Sequence, residues 1–168
     1  TPLALKEVVD EGQRLNRFGK IRPATAIVSD QGDTLIVPDV VYVLHSRRTG
    51  NDAVFMVEID CATETLGGGL SMARSETVVD KFKRYESLLL DEKRPWRRFL
   101  KTKAKAFRVL FVTETQNRIE NLQKRCEVVL RYPEFFWGAS HMDVVSSHMD
   151  TRMWLSMKTG LTKLALIE

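Results

Sequence analysis

The chain reads as an α/β protein of the α+β kind, a mixed β-sheet flanked by helices, and three observations lead there. Runs rich in β-branched and aromatic residues, Ala24 to Ser29, Thr34 to Leu44 and Ala53 to Cys61, follow one another with turn residues between them. Two longer stretches, Ser71 to about Leu90 and Asn117 to Leu130, repeat apolar residues at helical spacing. The run Phe107 to Val112 lies between those helices and the aromatic run Glu134 to Ala139 follows the second, so strand, helix and strand alternate.

The first element, Leu3 to Leu15, places Leu5, Val8, Val9 and Gly12 on one face with charges opposite, which predicts an amphipathic helix. Ala24 to Ser29 and Thr34 to Leu44 then form the arms of a hairpin around Asp30-Gln31-Gly32-Asp33. Pro38 in the second arm cannot donate to a ladder, so that arm is an edge, a strand start or bulged there, and Asp39 is aimed by the break. His45 to Asp52 makes a second turn. The third strand, Ala53 to Cys61, completes an antiparallel meander and is apolar except for Glu58 and Asp60, which must project to one face.

Gly67-Gly68-Gly69 reads as a hinge before the long helix, whose apolar stripe is Val78, Phe82, Tyr85 and Leu89. Pro95 interrupts helix continuity in the stretch that follows. The helix Asn117 to Leu130 carries Ile119, Leu122, Cys126, Val129 and Leu130 on one side, and the strand after it should pair in parallel by a right-handed crossover. The tail has two Ser-His-Met-Asp tetrads, at Ser140 and Ser147, and ends in a weak strand from Leu161 to Ile167.

At 168 residues one domain is expected over 1–168, large enough to bury roughly two thirds of its unfolded surface. The chain opens on Thr1, which is expected of a fragment of a longer protein. With 43% hydrophobic and 29% charged residues, and no run approaching the ~20 apolar residues of a membrane span, no membrane role is expected. Cys61 and Cys126 stand far apart and outside any metal-binding spacing, which points to a reducing cytoplasm. His45, His141 and His148 match no zinc pattern and receive no role.

Charge is uneven. Residues 1–90 hold eleven Lys and Arg against thirteen acids, whereas 91–168 hold fifteen against nine. Lys93, Arg94, Arg97, Arg98, Lys101, Lys103, Lys105 and Arg108 fall within sixteen residues that contain no acid, together with Trp96 and Phe99. Cations interleaved with aromatics suit DNA, neutralising phosphates and stacking on bases; the same run would otherwise be a solvated surface.

Asp39, Glu58 and Asp60 suit a hard divalent cation, Mg²⁺ or Mn²⁺, which takes oxygen ligands and is held by few carboxylates with water and phosphate. The bland alternative is a set of edge-strand carboxylates facing water. Glu64 is either a fourth ligand or a cap, and Tyr85 either a nucleophile for a covalent DNA link or a core aromatic with its hydroxyl at the rim.

The Pro38-Asp39 step on the second strand and the acids of the third resemble the PD-(D/E)xK nuclease superfamily, whose fold is restriction-endonuclease-like. More narrowly, Leu35-Ile36-Val37-Pro38-Asp39, Val57-Glu58-Ile59-Asp60 with Thr63-Glu64, Lys81-Phe82-Lys83-Arg84-Tyr85 and Phe107 to Thr113, in that order, resemble the replication-relaxation family of plasmid and mobile-element proteins. The resemblance spans about Leu35 to Trp154 and is similar to the relaxases of plasmid mobilisation. It implies a metal-dependent DNA nicking endonuclease in the bacterial cytoplasm, partnered by DNA, by replication or mobilisation proteins or by a second copy of the chain. Where the superfamily motif has lysine, two residues after Glu58, this chain has Asp60. Lys81 or Lys83 on the following helix is the expected substitute, Lys81 sharing a helical face with Tyr85. Without such a lysine the same fold would serve as a catalytically inactive DNA-binding or replication-partner module.

Overall fold

The computed structural model describes residues 4–7, 14–15, 21–22, 25–61, 77–148, 151–160 and 164. Its strands are β1 (Ala4–Glu7), β2 (Arg14–Leu15), β3 (Ile21–Arg22), β4 (Ile27–Val28), β5 (Thr34–Ile36), β6 (Val40–His45), β7 (Asp52–Asp60), β8 (Phe107–Thr113), β9 (Phe136–Ser140) and β10 (Leu155–Ser156). Its helices are α1 (Val78–Leu90), α2 (Pro95–Phe99), α3 (Gln116–Val129) and α4 (His141–Ser146), with a 3₁₀ turn at Pro133–Phe135. The main sheet has the strand order β1-β6-β7-β8-β9-β10, and β2-β3 and β4-β5 pair separately. The sheet is mixed: β6 and β7 run antiparallel, β8 and β9 parallel. The α+β expectation holds.

The chain divides into two compact units, Thr1–Val57 with Ser87–Arg108, and Glu58–Glu86 with Val109–Glu168. In the first, β4 and β5 form the expected hairpin, closed by Ser29 N–H donating to Asp33 O at 2.9 Å and by Gly32 at φ 84°, a left-handed angle that glycine adopts without a Cβ penalty. The second arm ends at Ile36. Residues 37–39 lie outside any strand, and the ladder restarts at Val40, because Pro38 has no N–H to give. The expected three-strand meander is therefore a hairpin, β4-β5, followed by a second antiparallel pair, β6-β7. Ile27, Ile36, Val43, Val54, Phe55 and Met56 are buried, as is Trp96 of α2, which meets Phe107 edge-on at 5.2 Å. Pro95 opens α2 at its first turn, where a missing N–H costs nothing.

In the second unit, Thr77 caps α1: its hydroxyl donates to Asp80 at 2.7 Å and accepts from the Asp80 N–H at 3.2 Å. Thr115 caps α3, its side chain accepting from the Arg118 N–H at 3.3 Å. The β8-α3-β9 unit pairs in parallel, Val109 opposite Phe136 through Thr113 opposite Ser140. Phe82 stacks on Phe136 at 4.8 Å and meets Phe111 edge-on at 5.7 Å, and Ile119, Leu122 and Cys126 of α3 are completely buried.

Several expectations are corrected. The helix expected over Leu3 to Leu15 is absent where it is described: Ala4–Glu7 is a strand paired antiparallel with β6, and Arg14–Leu15 pairs with β3. A four-residue apolar-polar segment fits either period, and the open edge of β6 decides by taking its backbone groups. On α1 the buried position is Leu88, while Leu89 is only half-buried; on α3 Val129 is 42% exposed. The aromatic run opens as the 3₁₀ turn before β9 begins at Phe136, and α4 and β10 were not foreseen. The triglycine hinge, residues 71–76 of the long helix, residues 8–13 of the first and most of the terminal strand lie outside the described residues. Leu164 of that strand bridges Trp154.

A Cβ on Gly138 would sit 2.7 Å from both Ile119 Cγ2 and Met157 Cε. Methionine can swing away, but isoleucine in a helix is held to one rotamer. Gly138→Ala should therefore cost about 1–3 kcal/mol, read as a lower urea midpoint at unchanged slope. Burial, and secondarily Glu86, push the Cys126 thiol up to about 12, whereas Cys61 is exposed. Native protein at pH 8 should thus take up one equivalent of a thiol reagent, at Cys61, and a second only after denaturation.

Candidate functional site

Strand β7 carries two of its three carboxylates, Glu58 and Asp60, at its C-terminal end. Ile59 is 53% exposed, while Glu58 and Asp60 on either side of it are 3% and 7% exposed, so alternation sends both carboxylates to the covered face. Burying ionised carboxylates is costly unless each is paired and hydrogen-bonded. Each is. Lys81 forms an ion pair with Glu58 Oε2, and the Tyr85 hydroxyl donates to Glu58 Oε1. Arg118 Nε pairs with Asp60 Oδ2, and the Thr113 hydroxyl donates to the same oxygen at 3.0 Å. A cation and a hydroxyl thus serve each acid.

Local structure delivers these partners. Lys81 and Tyr85 lie four residues apart on α1, one above the other, so both reach the same carboxylate. Thr113 ends β8, and the Thr115 cap fixes the first turn of α3 from which Arg118 projects. Of the two lysines expected to replace the missing motif lysine, Lys81 is the one beside Glu58; Lys83 is exposed. Tyr85 has no exposed surface, and its ring lies in the core with its hydroxyl spent on Glu58, which suits holding that acid rather than attacking a phosphodiester. Arg118 and Thr113 were not anticipated. The available signal is electrostatic: two acids on a buried strand face call for a cation each, and Lys81 and Lys83 are both candidates for Glu58, which leaves Asp60 to be matched.

Asp39 is exposed in the first unit, its N–H donating to Val57 O at 3.1 Å. Glu64 lies outside the described residues. Among the described residues no three of His, Cys, Asp and Glu gather into a group that could hold a metal ion. Glu58 and Asp60 nonetheless offer hard carboxylate oxygens of the kind Mg²⁺ and Mn²⁺ take, and one or two such ligands suffice for Mg²⁺.

In the basic stretch Lys93, Arg98, Lys101, Lys103 and Lys105 are exposed, and Arg94 and Arg97 are half-buried. Arg98 is paired with Asp30, whose carboxyl that guanidinium holds below the usual range. Trp96, expected to stack on bases, is completely buried against Phe107 and is part of the core. The stretch supplies charge without that aromatic. His141 and His148 are exposed, while His45 is engaged with Asp52 at 2.8 Å. Among the described residues no helix is long and apolar enough to cross a membrane. No family model, no curated protein and no solved structure matches the chain.

The paired arrangement predicts a sign for a mutant cycle. Lys81→Met removes the cation paired with the buried Glu58 carboxylate and should cost about 3–5 kcal/mol, while the double variant with Glu58→Gln should recover much of that loss. Tyr85→Phe removes one hydrogen bond to a charged group and should cost about 1.5–3 kcal/mol. Urea titration of the wild type, the two single variants of the pair, their double variant and Tyr85→Phe measures both.

Proposed function

We propose that the chain is a metal-dependent DNA nicking domain, and one observation supports this above others: Lys81, supplied by a helix remote in sequence from β7, touches Glu58. Hydrolytic cleavage of a phosphodiester needs a carboxylate to hold a cation and a positive group to orient the water and take up charge on the phosphate. In the resembling superfamily both come from one strand; here Asp60 displaces the lysine and α1 returns it. Glu58 is the carboxylate that would hold Mg²⁺ or Mn²⁺, and Asp39 enters on its sequence motif alone. The bound ion would polarise the phosphate and lower the pKa of a ligated water. Tyr85 is a positioning residue that fixes the Glu58 rotamer, and Asp60 positions Arg118. The exposed Lys93, Lys101, Lys103 and Lys105 would attract the phosphate backbone. Plasmid or mobile-element DNA as the substrate rests on the sequence resemblance.

A second reading has its own observation. Glu58 already faces Lys81 and Asp60 faces Arg118, as in a purely structural arrangement, and the fold would then bind DNA or a replication partner without cutting.

Supercoiled plasmid incubated with the protein should become open circle only when Mg²⁺ or Mn²⁺ is present, and EDTA should stop it. Glu58→Gln and Lys81→Met, at matched folded fractions, should each lower the nicking rate by about 10²-fold or more with DNA affinity within about twofold. DNA binding without any nicking under either ion would leave the second reading standing.

A further inference from the structure

Asp52, far in sequence from the basic stretch, is the meeting point of two loops. It opens β7 directly opposite His45, the last residue of β6. Its Oδ1 receives His45 Nδ1 at 2.8 Å, and its Oδ2 receives the Thr102 hydroxyl at 2.5 Å and the Lys103 N–H at 3.4 Å. Thr102 is 7% exposed, and its oxygen also accepts the Ala104 N–H at 3.2 Å. From the other side Arg97 Nη2 donates to Lys103 O at 3.3 Å. The Thr102 and His45 hydrogen bonds hold the Asp52 carboxyl below its ordinary range, so it stays an acceptor.

The β6-β7 turn is equally ordered. Ser46 N–H donates to Asn51 O at 2.9 Å, Gly50 N–H to Ser46 O at 2.8 Å and Thr49 N–H to the Ser46 hydroxyl at 3.2 Å, with Gly50 at φ 70°. This turn presents Arg47 and Arg48, both exposed; the loop held by Thr102 presents Lys103 and Lys105, both exposed. No acid occurs in residues 46–51 or 100–106.

We infer that Arg47 and Arg48 join Lys103 and Lys105 in one polyanion-binding face for the DNA backbone, assembled by the Asp52 hub with His45 and Thr102. The inference rests on the nucleic-acid part of the function proposed above and does not need nicking. Two loops pinned through one carboxylate offer their cations with little ordering left to do on binding. The turn itself, Ser46-Arg47-Arg48-Thr49-Gly50-Asn51, is built mostly of residue types that contact phosphate and sugar in protein–DNA interfaces, with no apolar side chain to enter a bilayer, which favours nucleic acid over an anionic membrane.

Fluorescence anisotropy with a labelled duplex, titrated across salt concentrations, tests this. Arg47→Ala/Arg48→Ala should weaken binding roughly tenfold and lower the slope of log K against log salt by about 2. Thr102→Val removes no charge yet should weaken binding, and Thr102→Ser should restore it. Binding with unchanged affinity and slope in the double arginine variant would overturn the inference, as would failure of the wild type to bind duplex at all. Equal loss of affinity for phosphatidylserine vesicles with no effect on DNA would overturn it in favour of a membrane. Arginine-dependent DNA binding in a protein that never nicks would uphold this face while removing the nicking reading.

Discussion

Glu58 and Asp60 are two ionised groups on the covered face of a strand, and much of the second unit is arranged around satisfying them. Alternation along β7 gives them no choice of side, since Ile59 takes the exposed one. Lone carboxylates there would be prohibitively costly, so α1 must bring Lys81 and Tyr85, and the β8-α3 junction must bring Thr113 and Arg118. The Thr77 cap sets where α1 begins and hence which residues face Glu58; the Thr115 cap does the same for α3 and Asp60. Helix phase and charge placement are thus one requirement.

That requirement admits both functional readings, because a buried ion pair and a catalytic carboxylate with its cation share the same ingredients. What separates them is whether the pairing is retained for stability or for its polarity. A well-packed apolar replacement of a buried ion pair is often neutral or stabilising, so stability alone is a weak reason to keep four charges inside. The fully buried Tyr85 fixes the orientation of the Glu58 carboxylate, which either reading requires.

The first unit solves a different problem, that of holding exposed cations in place. Asp52 does this by accepting from three donors at once across the β6 end and the loop before β8. Its neighbours in sequence, a tight turn with two arginines, look like an ordinary hairpin connection. Their relation to Lys103 exists because Thr102 and the Lys103 N–H reach back about fifty residues to the Asp52 carboxylate.

By itself the sequence determined the period of each long element: β7, β8 and α3 lie within a few residues of where their apolar patterns put them, and α1 ends where its pattern ends although it begins at Val78 rather than Ser71, because a buried stripe or an alternating face must repeat with the backbone. It also determined that Glu58 and Asp60 share a side, and that Pro38 interrupts a ladder. The tertiary structure decided what short segments could not. Ala4–Glu7 became a strand because an open edge was there to pair with, and β4-β5 left the meander because the break at Pro38 freed them to form their own sheet. It alone decided which cation meets which acid, Lys81 rather than Lys83, and Arg118 from a helix that the acids' own sequence never mentions. Partner choice depends on distances through space, and side-chain periodicity carries no record of those.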